Sequence, residues 1–178
     1  MNRIALYAGL GLAAFAGFAA ALTPARLAFD LAARPAGLEA GIVAGPVWNA
    51  ALRRVRLGDV VLADVEARLQ AAPLLAGRAV VDWTVRDPAV RGAGRLSLSS
   101  GAIVVENAEA VIGLDALPAL AAANLPAGES ARVVIDRLEL DRDGRCVSAE
   151  GQVSSTALVT AGAPFGAELP PLDAALGC

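Results

Sequence analysis

Side chains able to do chemistry are unevenly represented in this sequence. Its 178 residues include 18 Asp and Glu, but there is no His, and all 15 basic residues are Arg. Without His the chain has no Ser-His-Asp or Cys-His nucleophile system and lacks the commonest transition-metal ligand. Without Lys it has no Schiff-base lysine and no P-loop lysine. The composition therefore predicts a protein that is not an enzyme and that uses no metal or cofactor.

Two carboxylates at a suitable spacing would suffice for glycoside hydrolysis, which leaves a carboxylate hydrolase as an alternative. Asp64, Glu66 and Asp82 fall on the polar side of predicted strands. Arg residues share that side, so we interpret these carboxylates as part of a solvated face. A hydrolase would instead need two acidic groups in one cleft, with a raised pKa.

Two short segments resemble fragments of ligand-binding loops. Gly92-Ala93-Gly94 lacks the third glycine of a nucleotide loop and lies inside a strand pattern, which favours a bulge or bend. Asp141, Asp143 and Gly144 lack the remaining ligand positions of a calcium loop. Asp and Gly at this spacing are typical of a tight hairpin turn, which is the interpretation we adopt.

The two cysteines, Cys146 and Cys178, indicate an exported protein, because an oxidising compartment allows a pair to close into a disulfide. In the chain-entropy model a disulfide closing a loop of this length stabilises the fold by about 3 to 4 kcal/mol. Two free or buried thiols are the alternative.

An uncharged apolar run from Ile4 to Leu22 predicts where the chain resides. At about 1.5 Å per residue, a helix of this length crosses a hydrocarbon core of roughly 30 Å. Arg3 and the α-amino group precede the run, and positive charge is retained on the cytoplasmic side. We therefore predict a cytoplasmic tip (residues 1–3), a single transmembrane helix (4–22) and a periplasmic domain (23–178), held in the inner membrane of a Gram-negative envelope.

A cleaved signal peptide is the alternative for this run, because Ala19-Ala20-Ala21 satisfies the small-x-small pattern of signal peptidase. The apolar region of a signal peptide is usually about 7 to 15 residues long, and the longer run here favours an uncleaved anchor. Gly9, Ala13, Gly17 and Ala21 lie four apart and would form one small-residue helix face for a partner helix. In so alanine-rich a segment, chance is the alternative explanation for that face.

The charge balance argues against one class of partner. The net charge of −3 and the pI near 5.0 provide no clustered basic face of the kind that nucleic acids require. We therefore expect no nucleic acid among the partners, and we expect the lipid bilayer to be one of them.

Apolar and polar residues alternate from Leu38 onward, as in strands with one buried face. In residues 60–69 the positions predicted to share the apolar side are Val61, Ala63, Val65, Ala67 and Leu69. The pattern predicts a mainly β fold, an antiparallel meander with one or two short helices, wet on one side. Strands are predicted at residues 41–47, 51–57, 60–69, 78–86, 89–99, 102–112, 132–141 and 146–154, with a bulge near Asp136-Arg137.

A short helix is predicted to leave the membrane surface. Thr23 is a suitable N-cap and Pro24 a suitable first residue for a helix that continues to about Arg34. Leu27 and Leu31 are expected to face inward, and Phe29 is a further candidate for that side.

Three later segments interrupt the strand pattern. Residues 73–75 predict a helical turn between two strands, and residues 114–123 predict a helix that covers one end of the sheet. The tail, residues 162–178, contains three prolines and lacks alternation, so we predict a loop that wraps the sheet.

The stretch from Gly37 to Val85 resembles the core of the type II secretion system protein N family. Gly45 to Ala50 is similar to the family's Gly-Thr-Val-Trp-Ser-Gly signature, with Pro46 in place of Thr and Ala50 in place of Gly. Ala72-Pro73-Leu74-Leu75-Ala76-Gly77 and the strand that follows it resemble the family's Pro-x-x-Leu-x-Gly segment. The family-motif residues of this chain are Gly45, Val47, Trp48, Pro73, Leu75 and Gly77.

The resemblance implies an accessory inner-membrane subunit of the type II secretion system, which supports export of folded proteins from the periplasm across the outer membrane. Its partners would be other secretion-system subunits, and no catalytic role comes with it. Trp48 is then either a core anchor, which the adjacent Val47 favours, or a partner contact. Gly45 would permit the tight backbone that leads into it.

A membrane-anchored lipid-handling or envelope-scaffold β protein is the alternative function, because a curved sheet with one apolar face offers a groove to acyl chains. A continuous apolar groove open to solvent would favour it. A closed core with a polar exposed face would favour the secretion subunit.

Overall fold

The computed structural model describes residues 3–33, 37–58, 60–114, 128–162 and 170–178. The helices are α1 Arg3–Ala21, α2 Ala25–Ala28, a π-helical turn Phe29–Ala33, α3 Ala71–Leu74 and α4 Ala157–Gly162. The strands are β1 Leu38–Ala44, β2 Ala50–Leu57, β3 Val60–Gln70, β4 Ala79–Arg86, β5 Val90–Leu98, β6 Ala102–Gly113, β7 Ser130–Asp141, β8 Cys146–Ser155 and β9 Leu172–Ala175.

All nine strands form one sheet in sequence order, and each is antiparallel to the next. This confirms the prediction of a mainly β fold built as an antiparallel meander, although the structure describes more short helices than the one or two predicted. The tail was predicted as a loop, and that prediction is wrong for Leu172–Ala175, which forms β9 beside β8. Four residues are too few for an alternating pattern to stand out in a sequence.

Helix α1 exposes the large apolar side chains that the structure describes along it: Tyr7, Leu10, Leu12, Phe15 and Phe18. Within the described part of the chain, no helix has both the length and the apolar character that crossing a membrane requires. The transmembrane helix expected at residues 4–22 stays a prediction.

The predicted helix after α1 is present as α2 and the π-helical turn, but three details of the prediction are wrong. Pro24, predicted as the first helical residue, is instead the N-cap of α2 and has an extended conformation. The Thr23 hydroxyl donates to the Ala19 carbonyl oxygen (3.1 Å), so it closes α1 instead of capping α2. Leu27 and Leu31 are exposed, while Ala25 is buried. A π-helical turn widens the helical repeat, so a 3.6-residue period does not identify the inward positions.

The other predicted interruptions have different outcomes. The helical turn expected at residues 73–75 is present as α3 and the turn that follows it. The helix expected at residues 114–123 lies, apart from Leu114, outside the described residues.

In the first three strands the alternation of inward and outward side chains shifts by one residue, and it does so at the same row of paired residues across the sheet. Two consecutive exposed residues separate the buried positions in each strand: Gly41-Ile42 in β1, Arg53-Arg54 in β2 and Ala63-Asp64 in β3. Arg54 has φ +52°, a backbone angle that residues other than Gly, Asn and Asp rarely adopt. The change explains why strict alternation fails here. Val61 and Ala63, predicted for the apolar side, are exposed, and Leu62 is half-buried instead.

The Asp87 carboxylate bonds to the backbone at this row. Its Oδ2 accepts a hydrogen bond from the Ala63 N–H (2.6 Å) and its Oδ1 accepts one from the Ala89 N–H (2.8 Å). These two N–H donors, with that of Ala89 contributing more, lower the pKa of the Asp87 carboxyl because they stabilise its charged form.

Replacing Asp87 with alanine should therefore lower the free energy of unfolding by about 1 to 2 kcal/mol at neutral pH, which is less than two buried hydrogen bonds to a charged group would contribute because Asp87 is only half-buried. Because the pKa is lower in the folded chain, this stabilisation is present above the carboxyl pKa of the unfolded chain. It is lost as the pH falls through the pKa of the folded state.

Denaturant titrations of wild type and Asp87→Ala at a series of pH values measure this difference, which should shrink in acid. Asp173→Ala is the control, because the Asp173 carboxylate is exposed and no hydrogen bond or ion pair of it is seen among the described residues. A difference that stays constant with pH would contradict the role of the carboxylate.

Two predicted bulges are confirmed farther along the sheet. The β5–β6 register shifts between Ala93 and Arg95, within the Gly-Ala-Gly segment, and the β7–β8 register shifts between Ile135 and Arg137. Both lie close to Asn107 of β6, which has φ +49°. Bulges bend strands, so this second row also departs from a flat sheet.

The predicted hairpin turn between β7 and β8 is confirmed. Asp141 Oδ1 accepts hydrogen bonds from the N–H groups of Asp143 (2.8 Å) and Arg145 (2.9 Å). Gly144 has φ +77°, which glycine adopts without the strain that a Cβ would impose. The Asp and Gly residues therefore serve the turn.

Candidate functional site

Both groups of family-motif residues lie at one end of the sheet. In an antiparallel meander, alternate connections fall at the same end. The β1–β2 connection (residues 45–49), the β3–β4 connection (71–78), the β5–β6 turn (99–101) and the β7–β8 turn (142–145) therefore share one end, which we name the proximal end.

The segment that follows α1 is hydrogen-bonded to the proximal end. The Val47 N–H donates to the Thr23 carbonyl oxygen (2.9 Å), and the Ala25 N–H donates to the Gly45 carbonyl oxygen (3.0 Å). Pro24 and Pro46 face each other between these two bonds as an isolated antiparallel bridge. Proline has no backbone N–H, but Val47 and Ala25 supply the donors of both bonds, so the two segments still pair. The sequence pattern gave no sign of this contact.

Gly45 has the conformation that the motif requires. Its φ is +88°, and a Cβ at this position would lie 2.5 Å from the Asn49 carbonyl oxygen. The Asn49 N–H in turn donates to the Pro46 carbonyl oxygen (3.0 Å), closing the turn. A larger residue would be both strained and obstructed, in line with the sequence-based interpretation of Gly45.

Val47 and Trp48 have different surroundings. Val47 is half-buried and lines an apolar cavity, whereas Trp48 is half-buried and is not part of that lining. Trp48 is therefore neither fully buried nor part of the cavity lining, which distinguishes it from the adjacent Val47.

The cavity lies between the short helical segment and the sheet at the proximal end. It has a volume of about 290 Å³, and every residue that lines it is apolar. The helical residues of the lining are Ala25, Ala28, Phe29 and Ala33. The sheet and its first turn contribute Val43, Val47, Ala50, Leu52, Ala67, Leu69, Ala79, Val81 and Leu98.

The second motif group forms a compact turn at the tip of the β3–β4 hairpin. The Pro73 carbonyl oxygen accepts hydrogen bonds from the N–H groups of Ala76 (3.0 Å) and Arg78 (3.1 Å). Gly77 has φ +70°, and its N–H donates to the Leu74 carbonyl oxygen (3.0 Å). Leu75 is 94% exposed. The turn is therefore well bonded, yet it presents an apolar side chain to its surroundings.

Cys146 and Cys178 form a disulfide, with their Cα atoms 5.6 Å apart. Cys146 begins β8 at the proximal end, so the bond ties the end of the tail to the sheet. The Leu176 N–H donates to the Gly151 carbonyl oxygen (2.9 Å) and extends the contact between β9 and β8.

The predicted small-residue face of α1 is open where the structure describes it. Gly9, Gly17 and Ala21 are exposed, and a Cβ added at Gly9 or Gly17 would meet no atom within 4 Å. The side chain of Ala13 lies outside the described part.

The carboxylates considered for catalysis lie in a set of cross-strand ion pairs. Asp64, Glu66 and Asp82 pair with Arg53 (3.3 Å), Arg86 (3.0 Å) and Arg95 (2.8 Å) respectively. The other cross-strand pairs are Glu39–Arg56, Glu106–Arg137 and Glu109–Arg132. This arrangement gives the sheet a polar, solvated face, in which each exposed pair contributes little stability.

The electrostatics of Asp82 differ from those of a general acid. Gln70 Nε2 (2.7 Å) and Arg95 Nε (2.8 Å) both donate to the Asp82 carboxylate and lower its pKa. A carboxylate hydrolase needs a raised pKa, so Asp82 is unsuited to that role. Among the residues that the structure describes, no cluster of three or more His, Cys, Asp or Glu is placed to hold a metal ion.

Comparison with known proteins gives one match. Residues 36–178 match the family model described as type II secretion system (T2SS), protein N. Neither a curated protein nor a solved structure matches the chain. The matched range contains both motif groups, all nine strands and both cysteines.

Proposed function

The chain belongs to the type II secretion system protein N family, and we propose that it is an accessory inner-membrane subunit of that system, supporting export of folded proteins from the periplasm across the outer membrane. Family membership establishes involvement in type II secretion and implies contacts with other secretion-system subunits. The family is a secretion-system component and not a known enzyme family. The accessory role and the inner-membrane location are the parts that we propose.

The match over residues 36–178 is the observation that carries this proposal, because it covers the whole sheet. The features of the proximal end agree with an interaction role. Trp48 is half-buried and Leu75 is almost fully exposed. Aromatic side chains are enriched where proteins meet partners, so of these two residues Trp48 is the one whose type fits an interface.

Two observations support the proposed anchor at residues 4–22. The run is uncharged, and the described large apolar side chains of α1 are exposed, for example Phe15 at 71%. Leaving such side chains in water costs free energy that burial in lipid would recover. The disulfide between Cys146 and Cys178 supports a periplasmic location for the sheet, because the periplasm is oxidising and the cytoplasm is not.

Affinity capture of the full chain from membranes, in a gentle detergent, tests the proposal. We expect other secretion-system subunits to co-purify, and mass spectrometry of the captured chain should show that residues 1–22 are retained. The variants Gly9→Ile and Gly17→Ile, each made singly and then combined, block the small-residue face of α1, whereas Gly11→Ile adds the same bulk as either single variant on another side of the helix. Loss of partners in these variants, and not in Gly11→Ile, would locate the contact in the membrane.

The capture experiment also has outcomes that contradict the proposal. Absence of every secretion-system subunit from the wild-type sample would contradict the subunit role. A mature chain that begins near Leu22 would contradict the anchor and support a cleaved signal peptide.

A lipid-handling role is the second candidate, and the cavity of about 290 Å³ with its wholly apolar lining favours it. An acyl chain needs such a lining, and the segment beside the cavity follows directly after α1. The ion-paired polar face of the sheet favours the subunit role instead. Capture of the chain with bound phospholipid and without any secretion-system subunit would support the lipid-handling role.

A further inference from the structure

The β3–β4 turn exposes an apolar pair in a fixed conformation. Among the large apolar side chains that the structure describes, Leu75 has the greatest exposure, at 94%, and the adjacent Leu74 is 38% exposed. The Leu75 N–H donates to the Ala72 carbonyl oxygen (3.2 Å), and further backbone bonds close the turn around Pro73. The exposure of Leu75 therefore belongs to an ordered turn, and it leaves a large apolar surface without a partner in the described chain.

The fold places this turn close to the end of α1. Thr23 lies two residues beyond Ala21, the last residue of α1, and its carbonyl oxygen accepts the Val47 N–H. At up to about 3.5 Å per residue, Thr23 lies within roughly 7 Å of the end of α1, and the β1–β2 turn is one hydrogen bond farther away. The β3–β4 turn is at the same end of the sheet.

The β3–β4 turn also projects farther than the β1–β2 turn. Ala50, the first residue of β2, pairs with Ala67, and β3 continues beyond this pair to Gln70 before α3 begins. That extension adds roughly 10 Å along the strand. If α1 ends at the membrane surface, the β3–β4 turn extends roughly 10 Å farther than the β1–β2 turn, to which the segment after α1 is hydrogen-bonded.

The charges around the turn suit a lipid surface. No charged residue occurs from Leu69 to Gly77, and this stretch is flanked by Arg68 and Arg78, both exposed. Apolar side chains enter the boundary between headgroups and acyl chains, while flanking Arg side chains reach the phosphates of anionic lipids.

We propose that the β3–β4 turn is a second membrane contact, in which Leu74 and Leu75 insert into the same bilayer that holds α1. The proposal rests on the anchor in the proposed function. With two points of attachment, α1 and the β3–β4 turn, the sheet has a defined orientation relative to the membrane.

Site-specific photo-crosslinking of the full chain tests this contact. The photoreactive residue benzoylphenylalanine replaces Leu75 in one sample and Val61 in the other, and each chain is reconstituted into vesicles of phosphatidylethanolamine and phosphatidylglycerol. Val61 is the matched control, because it is an apolar residue of the same hairpin, 54% exposed, at the other end of β3. We expect phospholipid adducts at position 75, detected by mass, and few or none at position 61.

Carbonate extraction of the same vesicles separates this inference from the anchor on which it rests. A chain that resists extraction but forms no lipid adduct at position 75, or forms equal adducts at both positions, overturns the membrane contact and leaves the anchor standing. A chain that is extracted and lacks the adduct overturns both. In whole membranes, adducts at position 75 only to another protein would identify a partner surface and overturn the lipid contact.

A substitution gives an independent readout. Leu75→Asp should keep the thermal unfolding midpoint of the wild type in detergent, because the side chain is exposed. In vesicles it should make the backbone after Arg78 more sensitive to trypsin, while Val61→Asp should not. Equal trypsin sensitivity of wild type and Leu75→Asp in vesicles would overturn the proposal.

Discussion

Cys146→Ser should lower the free energy of unfolding by about 3 to 4 kcal/mol, because it removes the only covalent constraint on the unfolded chain. The disulfide joins residues 32 apart in sequence, so reduction restores the conformational freedom of a long loop in the unfolded state. In the folded state the same bond follows β9, a four-residue edge strand. Such a short strand has few contacts of its own, so we also expect β9 to fray first when the bond is absent.

Denaturant titration followed by tryptophan fluorescence measures this effect, since Trp48 and Trp83 are the two tryptophans of the chain and both are half-buried. The double variant Cys146→Ser with Cys178→Ser should unfold at the same denaturant concentration as the single variant. Wild type in dithiothreitol should match both. If all four samples unfold together, the disulfide does not contribute to stability.

The parts of this fold that the sequence predicts are those governed by a local repeat. Alternation identified eight of the nine strands, and the Asp and Gly of residues 141–144 identified a hairpin. The β9 strand, Leu172–Ala175, could not be found in this way, because its place is decided by pairing with β8 and by the disulfide. Long-range contacts of this kind leave no period in a short segment.

The change of parity in β1 to β3 shows a second limit. A strand pattern assumes that successive side chains point to opposite faces of the sheet. Arg54, with φ +52°, breaks that assumption in the middle of β2. The paired residues of β1 and β3 show the same shift in alternation. There the Ala63 N–H donates a hydrogen bond to the Asp87 carboxylate, which is 24 residues away in sequence. Nothing local to Val61 indicates that it lies on the exposed side.

The candidate site was predictable as two separate motifs but not as one place. Residues 45–48 and 73–77 lie at the same end of the sheet because a meander places alternate turns at one end. The hydrogen bonds between Thr23–Ala25 and Gly45–Val47 add the segment after α1 to that end. A prediction of function from such motifs therefore depends on the topology that joins them.

Gly94→Ala should lower the free energy of unfolding by about 2 to 3 kcal/mol, at the upper end of the usual range for overpacking. A Cβ at position 94 would lie 2.6 Å from Ala108 Cβ, 2.9 Å from Ala108 Cα and 2.9 Å from Trp83 Cζ2. Trp83 pairs directly with Gly94 across β4 and β5, and Ala108 is among the most buried residues described. The indole ring therefore packs over the glycine at the β5–β6 bulge, and the buried Ala108, whose backbone is paired within the sheet, takes the closest contact.

Gly101→Ala is the matched control for this substitution, because a Cβ at position 101 meets nothing within 4 Å and the residue has no positive φ. It should leave the unfolding midpoint close to that of wild type. Adding Ala108→Gly to Gly94→Ala removes the closest contact, so the double variant should be more stable than the sum of the two single effects predicts. Strict additivity, or equal midpoints for Gly94→Ala and Gly101→Ala, would show that the bulge accommodates a methyl group and that Trp83 does not depend on a glycine beneath it.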